Sequence, residues 1–279
     1  MSHTLPALGN QASRAQALDL LAARPLVVLT GAGLSTDSGI PDYRGPGAPT
    51  RTPMTYQEFI AGPEAQQRYW ARSHVGWGRM FRATPNPGHH ALATLQAQGR
   101  VSLLITQNVD GLHEAAGSAT LALHGRVAEV ICLGCHEVRA RRTFADDLDL
   151  LNPGYVAAHL SAASRPDGDV DLEQTDGFVV PRCGCGGAFK PNVVFFGENV
   201  PKERVQRAYE AVEELAETDG ALLVAGSSLT VMSGLRFVKR AAKLHVPVVI
   251  VNRGATRGDE WASLCVDDGC SEFLSALAG

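Results

Sequence analysis

An α/β fold is predicted for this chain by three observations. Short aliphatic runs recur at residues 26–29, 101–105, 221–225 and 246–251. Helical patterns fall between them, at 13–23, 89–98 and 203–218, the last stopped by Asp219-Gly220. Two intervals break this rhythm: 46–87 is aromatic and punctuated by proline, and 132–187 carries paired cysteines around a loop-rich centre, 161–177. Alternating strands and helices imply a mostly parallel sheet covered on both faces. The two intervals read as insertions. The expectation is a Rossmann-like parallel sheet domain (about 13–45, 88–130 and 189–279) with a smaller inserted helical and zinc-binding domain (about 46–87 and 131–188). The ligand cleft should lie between them, at the carboxyl ends of the strands.

The first strand candidate runs into Gly31-Ala32-Gly33, where tiny side chains let a backbone approach a ligand. Ser35, Thr36, Asp37 and Ser38 follow, with hydroxyls and helix-capping oxygens. Strand, glycine turn and helix N-terminus together suit a pyrophosphate, because free N–H groups and the helix dipole point at the anion. Thr36 stands where the usual dinucleotide fingerprint has a third small residue. Beyond the turn, Ile40-Pro41-Asp42-Tyr43-Arg44 adds an acid, a phenol ring and a guanidinium. After the second strand candidate, residues 106–113 read TQNVDGLH, and Gln107, Asn108 and Asp110 offer partners for hydroxyls, a carboxamide or a water. In isolation these residues could equally cap the next helix.

The chain has 279 residues, enough for a sizeable core, and an ordinary 45% hydrophobic share. A net charge of -4 without long like-charge runs argues against general nucleic-acid binding. Arg139, Arg141 and Arg142, beside Asp146, Asp147 and Asp149, read as a solvated surface, with a docking patch as the alternative. No apolar run reaches the roughly 18–20 residues of a membrane span. The expectation is a cytoplasmic bacterial protein, monomeric, with neither membrane nor nucleic acid as partner; a mitochondrial location is the lesser alternative.

Four of six cysteines form two pairs, Cys132-x-x-Cys135 and Cys183-x-Cys185. Without a secretion signal, metal binding is favoured over disulfides. Four thiolates suit one structural, tetrahedral zinc per chain. A pair of buried or redox-labile thiols is the alternative. Cys265 and Cys270 read as core residues.

Residues 26–47 and 106–113, with Leu123-His124-Gly125, Val194-Phe195-Phe196-Gly197-Glu198 and Gly226-Ser227-Ser228-Leu229, resemble the sirtuin family of NAD-dependent protein deacylases. The motifs stand in family order from Leu26 to Cys270, nearly the whole chain. Pro41-Asp42-Tyr43-Arg44 and Arg68-Tyr69-Trp70-Ala71-Arg72 are most similar to the branch that includes the mitochondrial lipoamidase and ADP-ribosyltransferase sirtuin and its bacterial relatives.

The resemblance implies that NAD is consumed as a co-substrate. Its pyrophosphate would lie against Gly31, Ala32, Gly33, Ser35, Gly226, Ser227 and Ser228, with the adenosine near Asn252, Arg253, Gly254 and Cys270. Ile40 and Asp42 would orient the nicotinamide, with Tyr43, Arg44, Gln107, Asn108, Val109 and Asp110 completing the site. His124 is implied as general base, with Asn108 and Asp110 as catalytic partners. An acyl-lysine peptide would pair with Val194, Phe196, Gly197 and Glu198 by strand addition.

The products would be nicotinamide, O-acyl-ADP-ribose and free lysine. Tyr69 and Arg72, at i and i+3, resemble the pair by which desuccinylating sirtuins hold acidic acyl groups, and point to succinyl- or glutaryl-lysine. The second cysteine pair departs from the family, with Arg182 where a cysteine is expected; Cys183 could still reach the metal, His136 could be recruited, or the site could be weakened. Protein mono-ADP-ribosyl transfer shares all these residues. A weakly catalytic NAD- or ADP-ribose-sensing module is opposed by the joint presence of His124, Asn108 and Asp110.

Overall fold

The computed structural model describes residues 13–42, 53–80, 82–159, 172 and 175–279. Among these, the first third contains α1 (Arg14–Leu21), β1 (Leu26–Thr30), α2 (Tyr56–Ile60), α3 (Pro63–Met80) and α4 (Pro87–Ala97). Next come β2 (Val101–Thr106), α5 (Leu112–Ala115), β3 (Thr120–Ala122), β4 (Gly125–Cys132), β5 (Val138–Ala140), α6 (Arg141–Leu151), α7 (Tyr155–Ala158) and β6 (Phe189–Val193). The last part holds α8 (Lys202–Glu214), β7 (Ala221–Ala225), α9 (Met232–Lys243), β8 (Val248–Val251), β9 (Leu264–Val266) and α10 (Cys270–Ala278).

Six strands form one sheet in the order β3-β2-β1-β7-β8-β9, every neighbouring pair parallel. The side-chain period of two divides β1 between the sheet's faces. Leu26 and Val28 pack with α1, α4 and α10, while Val27 and Leu29 pack with α8 and α9. Both faces are therefore buried, as the aliphatic runs predict. Strand order reverses between β1 and β7, the place where an open parallel sheet leaves a ligand crevice.

A second, antiparallel sheet, β5-β4-β6, forms a smaller lobe. Its aromatic core joins Phe59, Tyr69 and Trp70 from α2 and α3 to Phe144, Phe189 and Phe195. The Trp70 indole N–H donates to the Phe189 carbonyl at 2.9 Å. Ser13, Thr55 and Asn86 start α1, α2 and α4 with reciprocal capping boxes.

Several sequence expectations change. The run at 246–251 pairs only from Val248, because Pro247 has no N–H for the ladder. The helix expected to Thr218 ends at Glu214, where Glu213, Glu214 and Glu217 crowd the negative end of the helix dipole. The glycine turn leads not into an α-helix but into two single 3₁₀ turns, Ala32–Leu34 and Thr36–Ser38, closed by Gly39 at φ 81°. Arg141 is not a surface residue: it is fully buried, its guanidinium 4.9 Å from the Trp70 ring and 5.1 Å from that of Trp77. Arg139 does behave as a surface residue, paired with Asp147 at 2.8 Å.

Candidate active site

At the switch point the ends of β1 and β7 touch backbone to backbone. A methyl at Gly31 would sit 2.8 Å from the Gly226 carbonyl oxygen, and one at Gly33 would sit 3.0 Å from Gly226 Cα. Gly226 itself is at φ 66°, where a Cβ would lie 2.4 Å from Leu34 N. These glycines serve the joint between two strands as much as any approach by a ligand.

Beside that joint, side chains of β2's outgoing loop interlock with the glycine turn. Asn108 Nδ2 donates to the Gly31 carbonyl and to Ser35 Oγ, each at 3.0 Å. Ser35 Oγ donates to Asp110 Oδ2 at 2.7 Å, and Asp110 Oδ1 accepts from Leu112 N at 2.9 Å. Burial raises the Asp110 carboxyl above the ordinary carboxylate range, and these hydrogen bonds pull it back. Gln107 Nε2 reaches Ser227 Oγ at 2.8 Å, joining the loop to the far side of the crevice. Thr30, Thr106 and the buried His113 form a hydrogen-bonded floor beneath.

His124 stands between β3 and β4. Its Nδ1 lies 3.0 Å from the Gln107 carbonyl and its Nε2 2.8 Å from Ser233 Oγ. A carbonyl only accepts, so Nδ1 carries the proton and Nε2 keeps its lone pair. Enclosure by protein lowers the ring's pKa to about 4, opposed by the Gln107 bond. The imidazole is thus neutral at physiological pH, and its Nε2 is able to accept a proton.

These groups line one cleft of about 640 Å³ between the lobes. Its walls include Gly31, Ala32, Gly33, Ser35, Ile40 and Asp42 on one side, then Gln107, Asn108, Val109, Asp110 and His124. Ser227, Ser228, Asn252 and Arg253 close the large-domain end. The opposite wall is residues 194–198, with Tyr69 beside it. Glu198 shapes that wall: Oε2 accepts from Phe195 N at 2.8 Å and pairs with the buried Lys190 ammonium at 3.0 Å.

Some expected residues lie elsewhere. Gly226 packs behind the cleft, and Gly254 N donates to Asp267 at its edge. Cys270 begins α10 within the core, as its sequence reading as a core residue expects; its buried thiol faces the Val251 carbonyl, and burial pushes its pKa up to about 12. Arg72 is absent from the cleft lining, and its Nε donates to the Leu172 carbonyl at 3.0 Å. Tyr43 and Arg44 lie outside the described residues. Lys190 and Ser233 escaped the sequence reading; a lone lysine in the mostly apolar stretch 189–196 is the one signal that points to Lys190.

The sequence pattern of the Sir2 family matches residues 31–233, well over half of the chain. The chain belongs to the Sir2 family. The NAD-dependent protein deacetylase 1 of Mycobacterium avium (strain 104) is 51% identical over 264 residues, 93% of this sirtuin and 92% of that protein. The NAD-dependent protein deacetylase 1 of Streptomyces coelicolor is 54% identical over 250 residues, 88% and 82% of the two chains. A solved Sir2 complex with p53 peptide and NAD+ superposes with a TM-score of 0.72 at 32% identity, covering 94% of this chain and 96% of that one. A Sir2 structure bound to acetylated peptide gives 0.71 at 29% identity over the same shares.

The sirtuin's four paired cysteines converge at the end of the small lobe, all four sulfurs within 4.8 Å of one another. Cys132 lies 3.5 Å from Cys185 and Cys135 3.6 Å from Cys183, sulfur to sulfur. Tetrahedral zinc with bonds of about 2.3 Å sets its sulfurs about 3.8 Å apart, so the set fits zinc. Cys183 belongs to the cluster and His136 does not. The one-residue spacing works because Gly186, at φ 84°, turns the chain, with its N–H on the Cys183 carbonyl at 2.8 Å. Gly187 then packs on Cys132 Sγ, which a methyl there would approach to 2.5 Å. Four thiolates leave no open position, so the centre suits a structural role.

Proposed function

We propose that this sirtuin is an NAD-dependent protein-lysine deacylase with a structural zinc. The observation that carries the reading is His124, a neutral base with its Nε2 lone pair directed into the cleft that also holds the interlocked Gly31–Ser35–Asn108–Asp110 network. The Mycobacterium and Streptomyces relatives bear the name NAD-dependent protein deacetylase, and Sir2 structures carry NAD+ or acetylated peptide, which supports the same reading.

In this scheme Asp42 and the Asn108–Asp110 loop hold the nicotinamide end of NAD, and residues 194–198 hold the substrate backbone. The acyl oxygen displaces nicotinamide at the anomeric carbon. His124 Nε2 then takes a ribose hydroxyl proton, so that the ribose oxygen can attack the acyl carbon. Water completes the transfer, giving free lysine and O-acyl-ADP-ribose. Zinc, when bound, supplies cross-linking of the small lobe and no chemistry.

The choice of acyl group turns on two side chains of α3. Tyr69 lines the cleft, whereas Arg72, on which selection for succinyl or glutaryl groups rests, is turned to Leu172. This geometry favours short neutral groups such as acetyl; an acidic acyl chain would require the Arg72 Nη groups to reach into the cleft, whose lining does not include them. Mass spectrometry of reactions with NAD and acetyl-, propionyl-, succinyl- and glutaryl-lysine peptides tests the reading. Equal yields of nicotinamide and O-acyl-ADP-ribose are expected, highest with acetyl. Peptide-bound ADP-ribose as the main product would replace deacylation with ADP-ribosyl transfer.

A further inference from the structure

We propose that Ser233 is a positioning residue for the general base, holding the His124 imidazole by Nε2 until a ribose hydroxyl takes its place. The inference rests on His124 being the base of the proposed deacylase.

Both ring nitrogens of His124 are held, and by the same small region. Nδ1–H donates to the Gln107 carbonyl, which fixes the tautomer and leaves Nε2 as an acceptor. The group that meets Nε2 is the Ser233 hydroxyl at 2.8 Å, donating from the first turn of α9. That turn is seated by the next residue: Gly234 is buried against the Gln107 side chain, and a methyl there would lie 2.6 Å from Oε1. Gln107 therefore receives the ring on its main chain and α9 on its side chain. The spacing between Ser233 and His124 follows from that one contact surface. Imidazole rings held at one nitrogen can swing; one held at both cannot.

A hydroxyl suits the task in a way few side chains do, because it both donates and accepts. Before reaction Ser233 Oγ–H donates to the Nε2 lone pair. When the ribose hydroxyl displaces it, that proton passes to Nε2 as the ribose oxygen bonds to the acyl carbon. The new Nε2–H then donates to Ser233 Oγ, which keeps its own proton and turns it away. No atom is gained or lost by Ser233. The ring stays in one orientation through both protonation states.

The two chemical stages separate this role from a merely structural one. Nicotinamide departure and its reversal, read as exchange of labelled nicotinamide into NAD, precede the base; release of deacylated peptide follows it. Ser233→Ala should slow deacylation roughly tenfold, the scale of one lost hydrogen bond. The ratio of exchange to deacylation should rise by a similar factor, with little change in KM for NAD. Ser233→Thr, which keeps the hydroxyl, should restore the ratio. In a His124→Ala background Ser233→Ala should add no further loss, since residues acting as one unit are not additive. Wild-type deacylation by Ser233→Ala, an equal fall in both reactions, or an independent tenfold loss in the double variant would each overturn the proposal. Failure of the underlying reading looks different: His124→Ala alone would then turn over normally.

Discussion

Glu198 Oε2 is shared between the Lys190 ammonium, 3.0 Å away, and the Phe195 amide, 2.8 Å away. One carboxylate oxygen thus neutralises a nearly buried cation and sets the backbone of the cleft wall that faces His124. Burial lowers the Lys190 pKa, and Glu198 is the largest influence holding it up.

Glu198→Ala should therefore cost more than a surface substitution. It leaves an ammonium with 4% of its side chain exposed and without its counter-charge. Breaking a buried pair in this way costs about 3 kcal/mol or more. A urea titration should show a clear fall in midpoint, and KM for the peptide should rise more than KM for NAD. An unchanged midpoint would show that Lys190 finds another partner.

Stability should decline in mild acid. Burial lowers the pKa of His89 to about 4, of His113 to about 3 and of His124 to about 4. The unfolded chain protonates these residues near ~6.5. Below that value it binds protons that the folded protein refuses, so stability is full above ~6.5 and falls as pH drops toward 4. Each histidine contributes at most about 1.4 kcal/mol per pH unit. Urea midpoints measured from pH 7.5 to 5 should fall progressively; a flat profile would contradict the burial of these rings. The same depression means that protonation of His124 does not limit deacylation at pH 6.

Gly187→Ala should release zinc although no ligand is replaced. The added methyl would press on the ligand sulfur Cys132 Sγ at 2.5 Å and on Gly134 N, which donates to that sulfur, at 3.0 Å. Zinc per chain, measured by atomic emission, should drop with Cys183→Ser as well as with Gly187→Ala, and proteolysis should cut the small lobe first. Full metal content in Cys183→Ser would remove that cysteine from the ligand set.

Arg72→Met should lower activity on acetyl- and glutaryl-lysine peptides by similar, modest factors, because the guanidinium is directed to the Leu172 carbonyl. A loss of ten- to a hundredfold confined to the glutaryl peptide, the scale of a charge-assisted hydrogen bond of about 1.5–3 kcal/mol, would restore the acidic-acyl preference.

Local pattern carried the parallel sheet well. The run 221–225 is a strand to the residue, since five apolar positions beside a glycine stop leave few alternatives. The grouping of Asn108, Asp110 and His124 was legible through motifs in family order, and all three line one cleft. Arg141 was misread because its neighbours in sequence are charged, while the rings that enclose it come from Trp70 and Trp77 on another helix. Cys183 stayed ambiguous because its spacing makes sense only once Gly187 lies on Cys132. Ser233 gave no signal at all: a serine near a helix start looks like a cap, and its partner is 109 residues away.

The joint of Gly31 and Gly33 with Gly226 has a consequence for the making of the protein. β1 (Leu26–Thr30) leaves the ribosome long before β7 (Ala221–Ala225), which it needs on one side. At about 5–20 residues per second, the wait is roughly 10–40 seconds. During it Val27 and Leu29 lack the α8 and α9 side chains that cover them, a stretch of exposure in which a chaperone has work to do. The nucleotide crevice has only one wall for the same interval. A chain that stops before β7 therefore lacks the proposed dinucleotide seat, and it can draw on NAD only after that strand is made.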